Sequence, residues 1–340
     1  MSLVSARVDK QITPKYELGS SYNSKFNLAS EDRWTYPRNS TPGKRNMAPV
    51  FGLVSGEGDD RYAQRYGQMI VGFDTISQVP SGLHYSQYKI KSATVKTTVA
   101  LDEQFLYDGT PDDYSKYNGV DDTVSPVELF GTGFRNGFDS SSWNETSPMA
   151  APDGDRSNNA YSLGLSDGQA IDVDLYRFGS PHNASAFAIG QIDGLEQGEL
   201  VPEDSELEFS INVDDSGIQR YIAESLSKGK LFFTLSQILY AKTDNGGKGY
   251  PDLYTKDHIL GESPTLNLEF EIVPAKLDPA VLTISRNNNG GVTVGWSGNG
   301  DLFSSEKLGD GVSWQKVGTT GNSHDLDPSS PARYFKVIDN

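Results

Sequence analysis

Leu207, Phe209, Ile211 and Val213 fall on alternate positions of this chain, and so do Leu266, Leu268, Phe270 and Ile272. Ile171, Val173 and Leu175 repeat the pattern against Asp172, Asp174 and Tyr176. A period of two puts every second side chain on one face of an extended strand, so these stretches form half-buried β-strands rather than helices. Clusters of Gly, Asn, Asp and Pro cut the chain between them, as turns require. The pattern predicts an all-β protein. It contains a large jelly-roll-like antiparallel β-sandwich, a small C-terminal β-sandwich and one short helix near 215–228.

Gln68–Asp74, Ser86–Leu106, Val127–Phe130, Ala170–Phe178, Ala184–Ile192, Glu206–Val213, Lys230–Ala241 and Thr265–Val273 read as strands, with an edge strand near Val4–Val8. Within Ser86–Leu106 the inward positions are Tyr88, Ile90, Val95, Val99 and Leu101. Their parity changes between Ile90 and Val95, which predicts a bulge or break near Ser92. In the helix, Asp214 or Asp215 is the cap, Ile218, Tyr221, Ile222 and Leu226 form the apolar stripe, and Gly229 is the stop.

The organisation expected is an N-terminal arm over 1–28, a large sandwich over 29–275 and a small module over 276–340. Pro274-Ala275-Lys276-Leu277-Asp278-Pro279 is the linker. Val281–Ser285, Val292–Trp296, Leu302–Glu306, Ser313–Val317 and Tyr334–Ile338 are the strands of the module.

Composition narrows the function classes. The 46 acidic and 29 basic residues leave a net charge of −17, which repels nucleic-acid phosphate and anionic membrane surfaces. With no cysteine there is no disulfide, thiolate metal site or cysteine nucleophile. No apolar run is long enough to span a membrane. The 17 tyrosines and 15 phenylalanines argue against a disordered chain. Met1-Ser2-Leu3-Val4 reads as a leader standing where an export signal was removed, so the expected location is extracellular or at the cell surface. Nothing in the sequence links His84-Tyr85, His182-Asn183 and Asp257-His258, and no nucleophile elbow, zincin helix or phosphate loop occurs in a supportive context.

Two segments are candidate sites. Asp108, Asp112, Asp113, Asp121 and Asp122 crowd a loop with Gly109, Asn118 and Gly119. Calcium takes six to eight hard oxygens, which such loops supply, so the loop is either a Ca²⁺ site or a solvated turn. Asp153–Asn159 and Glu57–Asp60 are further candidates of the same kind. The stretch Arg33–Arg45 is the densest basic-aromatic segment, with Arg33, Trp34, Tyr36, Arg38, Lys44 and Arg45. Aromatic faces stack on the C–H surfaces of sugars and cations hold acidic substituents; alternatively, Trp34 and Tyr36 belong to the core. Tyr107, Tyr114, Tyr117, Phe130, Phe134 and Arg135 form a second aromatic-polar set, in which Tyr114 and Tyr117 either meet a ligand or serve packing.

Three phrases occur in order: Asp32-Arg33-Trp34-Thr35-Tyr36-Pro37, Val71-Gly72-Phe73-Asp74-Thr75 and Ile90-Lys91-Ser92-Ala93-Thr94-Val95-Lys96. In these the region from about residue 30 to 275 resembles the carbohydrate-binding-module-like β-sandwiches of secreted bacterial proteins, the DNRLRE type, although the Asp-Asn-Arg string is missing. Val292–Trp296, Leu302–Ser305, Ser313-Trp314 and Arg333-Tyr334-Phe335-Lys336-Val337 are similar to a short fibronectin/immunoglobulin-like module. The resemblance implies export and a polysaccharide or surface context. The expected function is a secreted, noncatalytic carbohydrate-binding protein recognising an extracellular polysaccharide, anionic ones included, with calcium stabilising its loops. Two alternatives stay open. One is a structural cell-surface, matrix or filament subunit that self-associates through its N-terminal arm. The other is an unrecognised polysaccharide lyase or hydrolase.

Overall fold

The computed structural model describes residues 16–36, 43–55, 64–112, 114, 125–149, 158–176, 183–238, 249–259, 263–276, 281–287, 290–297, 301–309, 312–317, 323–326 and 333–338. The chain divides into two compact units, Met1–Pro274 and Ala275–Asn340.

The first unit opens with β1 (Ser21–Phe26), β2 (Glu31–Thr35), β3 (Met47–Pro49), β4 (Phe51–Ser55), β5 (Gln64–Asp74) and β6 (Tyr88–Thr98). It continues through β7 (Glu128–Phe134), β8 (Ala160–Ser166), β9 (Gln169–Asp172), β10 (Ala188–Ile189) and β11 (Glu206–Ser210). Helix α1 (Ser216–Lys228), β12 (Lys230–Ser236), β13 (Asp252–Tyr254) and β14 (Thr265–Ile272) complete it. A narrow four-stranded sheet runs β1-β14-β6-β11. A wide eight-stranded sheet runs β2-β5-β12-β7-β8-β9, with β4 on β5 and β10 on β7.

The alternating residues meet between these sheets. Leu266, Leu268, Phe270 and Ile272 of β14 share one buried core with Met69, Val71 and Phe73 of β5 and Leu231, Phe233 and Leu235 of β12. Glu269 pairs with Ser92 and Phe270 with Ile90, so Lys91 is the extra residue of a bulge, as the parity change predicts. Tyr88, Ile90, Val95 and Val99 are buried, and Leu101 is half-buried. Helix α1 enters the same core with Ile218, Ile222, Ala223 and Leu226. Its first amides are capped by Asp215, whose Oδ1 accepts from Gly217 N at 2.8 Å and Ile218 N at 3.1 Å. Gly229 ends it at φ 83°, a conformation open to glycine at little cost.

The wide sheet is also covered on its outer face. Ile70 and Phe232 pack there with Trp143 and Ala160, and Phe130 packs with Tyr114, Val173, Ala184 and Ile238. The sheet curls toward this side. Gln68 Nε2 on β5 lies 2.6 Å from Ser162 Oγ on β8, although β12 and β7 stand between them in the sheet order. In a flat sheet three strand spacings separate such residues by about 14 Å.

Some strands differ from expectation. Residues 21–26, placed in an arm, form β1 at the edge of the narrow sheet, in register with Glu271–Leu266. Residues 1–15, including Val4–Val8, lie outside the described residues. The strand expected over Ala170–Phe178 stops at Asp172, because Asp174 N donates to Asp172 Oδ1 at 3.1 Å and turns the chain into a 3₁₀ turn, Val173–Tyr176. Ala184–Ile192 is strand only at Ala188–Ile189, because the segment changes sheets: Ala188 pairs with Leu129 of the wide sheet and Gln191 bridges Glu208 of the narrow one.

The second unit contains β15 (Leu282–Arg286), β16 (Val292–Trp296), β17 (Asp301–Ser305), β18 (Gln315–Lys316), β19 (Ser323–Leu326) and β20 (Tyr334–Ile338). They form two three-stranded sheets, β15-β16-β19 and β18-β17-β20. Val294, Trp296 and Leu302 form the buried core of this unit, with Val317, Leu326, Phe335 and Val337 against it.

Candidate functional site

Trp34 and Tyr36 are two positions apart at the end of β2, so they share a face. Their rings stack at 4.5 Å with an interplanar angle of 5°. Tyr36 lies 6.2 Å from Phe51, which lies 4.7 Å from Tyr250. The result is an aromatic strip, Trp34–Tyr36–Phe51–Tyr250. Its ends differ. Trp34 is 8% exposed, and its indole N–H donates to Pro49 O at 2.7 Å. Tyr36 and Tyr250 are half-buried and give the strip its open part. Exposed Arg45 sets its guanidinium 4.4 Å from the Trp34 ring centroid, and Lys44 beside it is exposed. Arg38 lies outside the described residues. Of the basic-aromatic segment, the structure thus brings Trp34, Tyr36 and Arg45 together. Trp34 serves as a core side chain. Tyr250 is the partner missed by sequence reasoning, because it is remote in sequence and sits in no periodic stretch.

The aspartate loop is only partly described. Asp108 is buried, and its Oδ1 accepts from Thr110 N at 2.8 Å and Thr110 Oγ1 at 2.7 Å, closing a local turn. Gly109 O accepts from Gln191 Nε2 at 2.9 Å. Asp112 is half-buried. Tyr114, expected at a ligand surface, is instead buried, and its hydroxyl donates to the Glu128 carboxylate. It packs on Phe130 because the wide sheet needs cover there. Asp113, Tyr117, Asp121 and Asp122 lie outside the described residues. Among the described residues no group of three or more acidic or histidine side chains is placed to hold a metal ion. Asn158 and Asn159 of the second acidic candidate are buried, and the rest of that stretch and Glu57–Asp60 lie outside the described residues.

Charged groups do gather at the β2 edge. Asp32 is 1% exposed and its carboxylate accepts the Lys256 backbone N–H. Its own N–H donates to Glu145 Oε2 at 3.2 Å, which occupies part of the free edge of the strand. Lys256 Nζ lies 2.9 Å from Glu145 Oε2, Glu145 N donates to Glu31 Oε2 at 3.0 Å, and Lys230 Nζ lies 2.6 Å from Glu31 Oε1. Burial pushes the Asp32 carboxyl up to about 7, against the pull of Lys256. Beside β8 and β9 of the wide sheet Arg135 Nη2 lies 2.5 Å from Asp172 Oδ2 and its guanidinium lies 4.0 Å from the Tyr161 ring. Burial, then Asp174, raise the Asp172 carboxyl to about 6.

The histidines carry local roles. His84 caps the turn Tyr85–Gln87, with Nδ1 2.8 Å from Ser86 Oγ, and its ring lies tilted against Tyr85 at 4.4 Å. The His258 ring lies tilted against Tyr254 at 4.0 Å. His182 lies outside the described residues. No protein-family model and no curated protein matches the chain.

Proposed function

We propose that this chain is an exported, noncatalytic carbohydrate-binding protein that takes a polysaccharide along the strip from Tyr36 to Tyr250. The sugar rings stack on the two open tyrosines, and Arg45 and Lys44 hold acidic substituents. The observation that carries this reading is the strip itself: contiguous aromatic rings, half-open to solvent, beside exposed cations in a chain of net charge −17. A stacking platform on the narrow sheet is disfavoured, since the described side chains of its outer face include Lys89, Lys91, Lys96, Glu269 and Glu271 and no aromatic ring. Calcium in the Asp108–Asp122 loop belongs to the same proposal and rests on the oxygen-rich composition of that loop.

Affinity electrophoresis in gels containing neutral or uronate-rich polysaccharides tests it. Native protein is retarded, most by the acidic polymers. Tyr250→Ala weakens retardation in every gel, and Arg45→Ala weakens it selectively in the acidic ones. Equal mobility of native protein in all gels and in a blank overturns the reading. A melt with and without EDTA tests calcium separately, because a bound ion raises the midpoint by mass action.

A further inference from the structure

Among the described residues, four buried side-chain atoms on or beside the wide sheet have no hydrogen-bond partner: Arg33 Nε, Thr35 Oγ1, Gln68 Oε1 and Asn158 Oδ1. Three of them stand on the β2–β5 pair. Arg33 and Thr35 are two apart and share a face, and Thr35 lies directly opposite Gln68 in the register. Opposed side chains start about 5 Å apart and diagonal ones about 7 Å. Ile70, opposite Arg33, packs with Trp143, which places the patch on the outer, curled face. Asn158 joins through Tyr66, the same-face residue before Gln68, by a 2.8 Å bond from its Nδ2 to the tyrosine hydroxyl.

The orientation of the Gln68 amide is set by its neighbours. Its nitrogen donates to Asp174 Oδ1 and Ser162 Oγ, each at 2.6 Å. Only the nitrogen can donate to a carboxylate, so the bare end is the carbonyl oxygen.

Arg33 decides what the patch wants. It is 4% exposed, and its guanidinium makes a hydrogen bond to the Ser147 carbonyl while Nε–H stays bare. Burial alone lowers its pKa, to about 10, which leaves it cationic at neutral pH; no described carboxylate counters that shift. Asp32, its neighbour in sequence, alternates to the other face and is engaged by Lys256. Water satisfies a bare hydroxyl or amide oxygen, but a buried cation needs a counter-charge.

We propose that this patch seats a small hydroxylated carboxylate with the chemistry of a uronic acid. Its carboxylate sits on the Arg33 guanidinium, and its hydroxyl groups donate to the Gln68 and Asn158 amide oxygens beside the Thr35 hydroxyl. The seat lies across the sheet from the Trp34 strip and does not depend on it.

Thermal unfolding of the whole chain tests the seat, at constant ionic strength, with sodium glucuronate, sodium acetate or glucose. The midpoint rises with glucuronate, less with acetate, which has the charge alone, and not with glucose, which has the hydroxyls alone. Arg33→Met, which keeps the bulk and removes the charge, abolishes both shifts. Thr35→Val, which keeps the shape, weakens glucuronate roughly tenfold by removing one hydrogen bond to the ligand. An unmoved midpoint at about 100 mM glucuronate overturns the proposal, as does an equal shift in Arg33→Met. If Arg33→Met does not fold, unchanged glucuronate affinity in Thr35→Val is the overturning result. Gel retardation by polysaccharide is read separately on the same samples, so loss of the seat and loss of the strip are told apart.

Discussion

On the outer face of the narrow sheet Lys91 meets Glu271 at 2.9 Å, and Lys96 meets Glu206 at 2.7 Å and Glu208 at 2.8 Å, all in contact with solvent. On the outer face of the wide sheet Trp143 meets Phe232 edge-on at 5.5 Å, and both are buried. The inner faces of the two sheets share one core, yet their outer faces follow opposite rules. The narrow sheet satisfies its outward groups with water and ion pairs. The wide sheet covers its outward groups with connecting segments, and so must bury Thr132, Thr234, Gln68, Ser162 and Arg33 along with the apolar ones. Thr132 Oγ1 and Thr234 Oγ1 pair at 2.8 Å, whereas Arg33 Nε and Gln68 Oε1 do not pair. A second covered face thus stabilises through apolar burial and obliges each polar group it buries to find a partner, as Thr132 and Thr234 do in each other.

The contrast breaks most sharply at Trp143. Trp143→Ala removes a buried side chain that touches Phe134 at 5.9 Å and Phe232 at 5.5 Å, and is expected to cost about 3–5 kcal/mol in denaturant melts. A cost under about 1 kcal/mol would mean that the outer cover is not structural. Next comes pH. The Asp32 carboxyl is raised from 3.8 to about 7, so between those values the folded state keeps a proton that the unfolded state has released. Stability from this group therefore falls as pH rises from about 4 to about 7, and levels off above. Asp172, raised to about 6, has the same sign. Asp32→Asn is expected to flatten that slope and to raise the urea midpoint at pH 8 while leaving it nearly unchanged at pH 4. Native and variant curves that run parallel from pH 4 to 8 would remove Asp32 as the cause.

How far each face is legible in the sequence follows from the same contrast. β14 alternates half-buried and buried without a fault, so its pattern names both its state and its core residues. The bulge at Lys91 is written in the parity of Ile90 and Val95. Strands covered on both sides lose the alternation: in β12 every residue after Lys230 is buried. Such a run still reads as strand, but no longer says that a second layer exists. That layer comes from Trp143 and Tyr114, in aperiodic segments whose partners include Ile70, Phe232, Val173 and Ile238, all distant in sequence. For that reason Tyr114 looks like a ligand residue in the sequence and is a core residue in the fold. Arg33 is visible as part of a basic-aromatic segment, but the partners that give it meaning, Gln68 and Asn158, arrive through register and curl.

The smallest effect gives the finest test. Lys91 pulls the Glu271 carboxyl below its ordinary 4.5, and Lys96 does the same for Glu208. A lowered carboxyl contributes stability above its ordinary range and loses it as pH falls through the folded value, the opposite sign to Asp32. These pairs sit in high dielectric and are screened by salt, so each is worth little. Glu271→Gln is expected to lower the melting midpoint slightly at low salt and neutral pH, and the difference from native should vanish in about 1 M salt. The Asp32→Asn difference, set by burial, should survive the same salt. If both differences vanish together, water reaches Asp32 and burial does not set its carboxyl; if neither does, the outward pairs of the narrow sheet are shielded from solvent and its outer face is not the solvated one described.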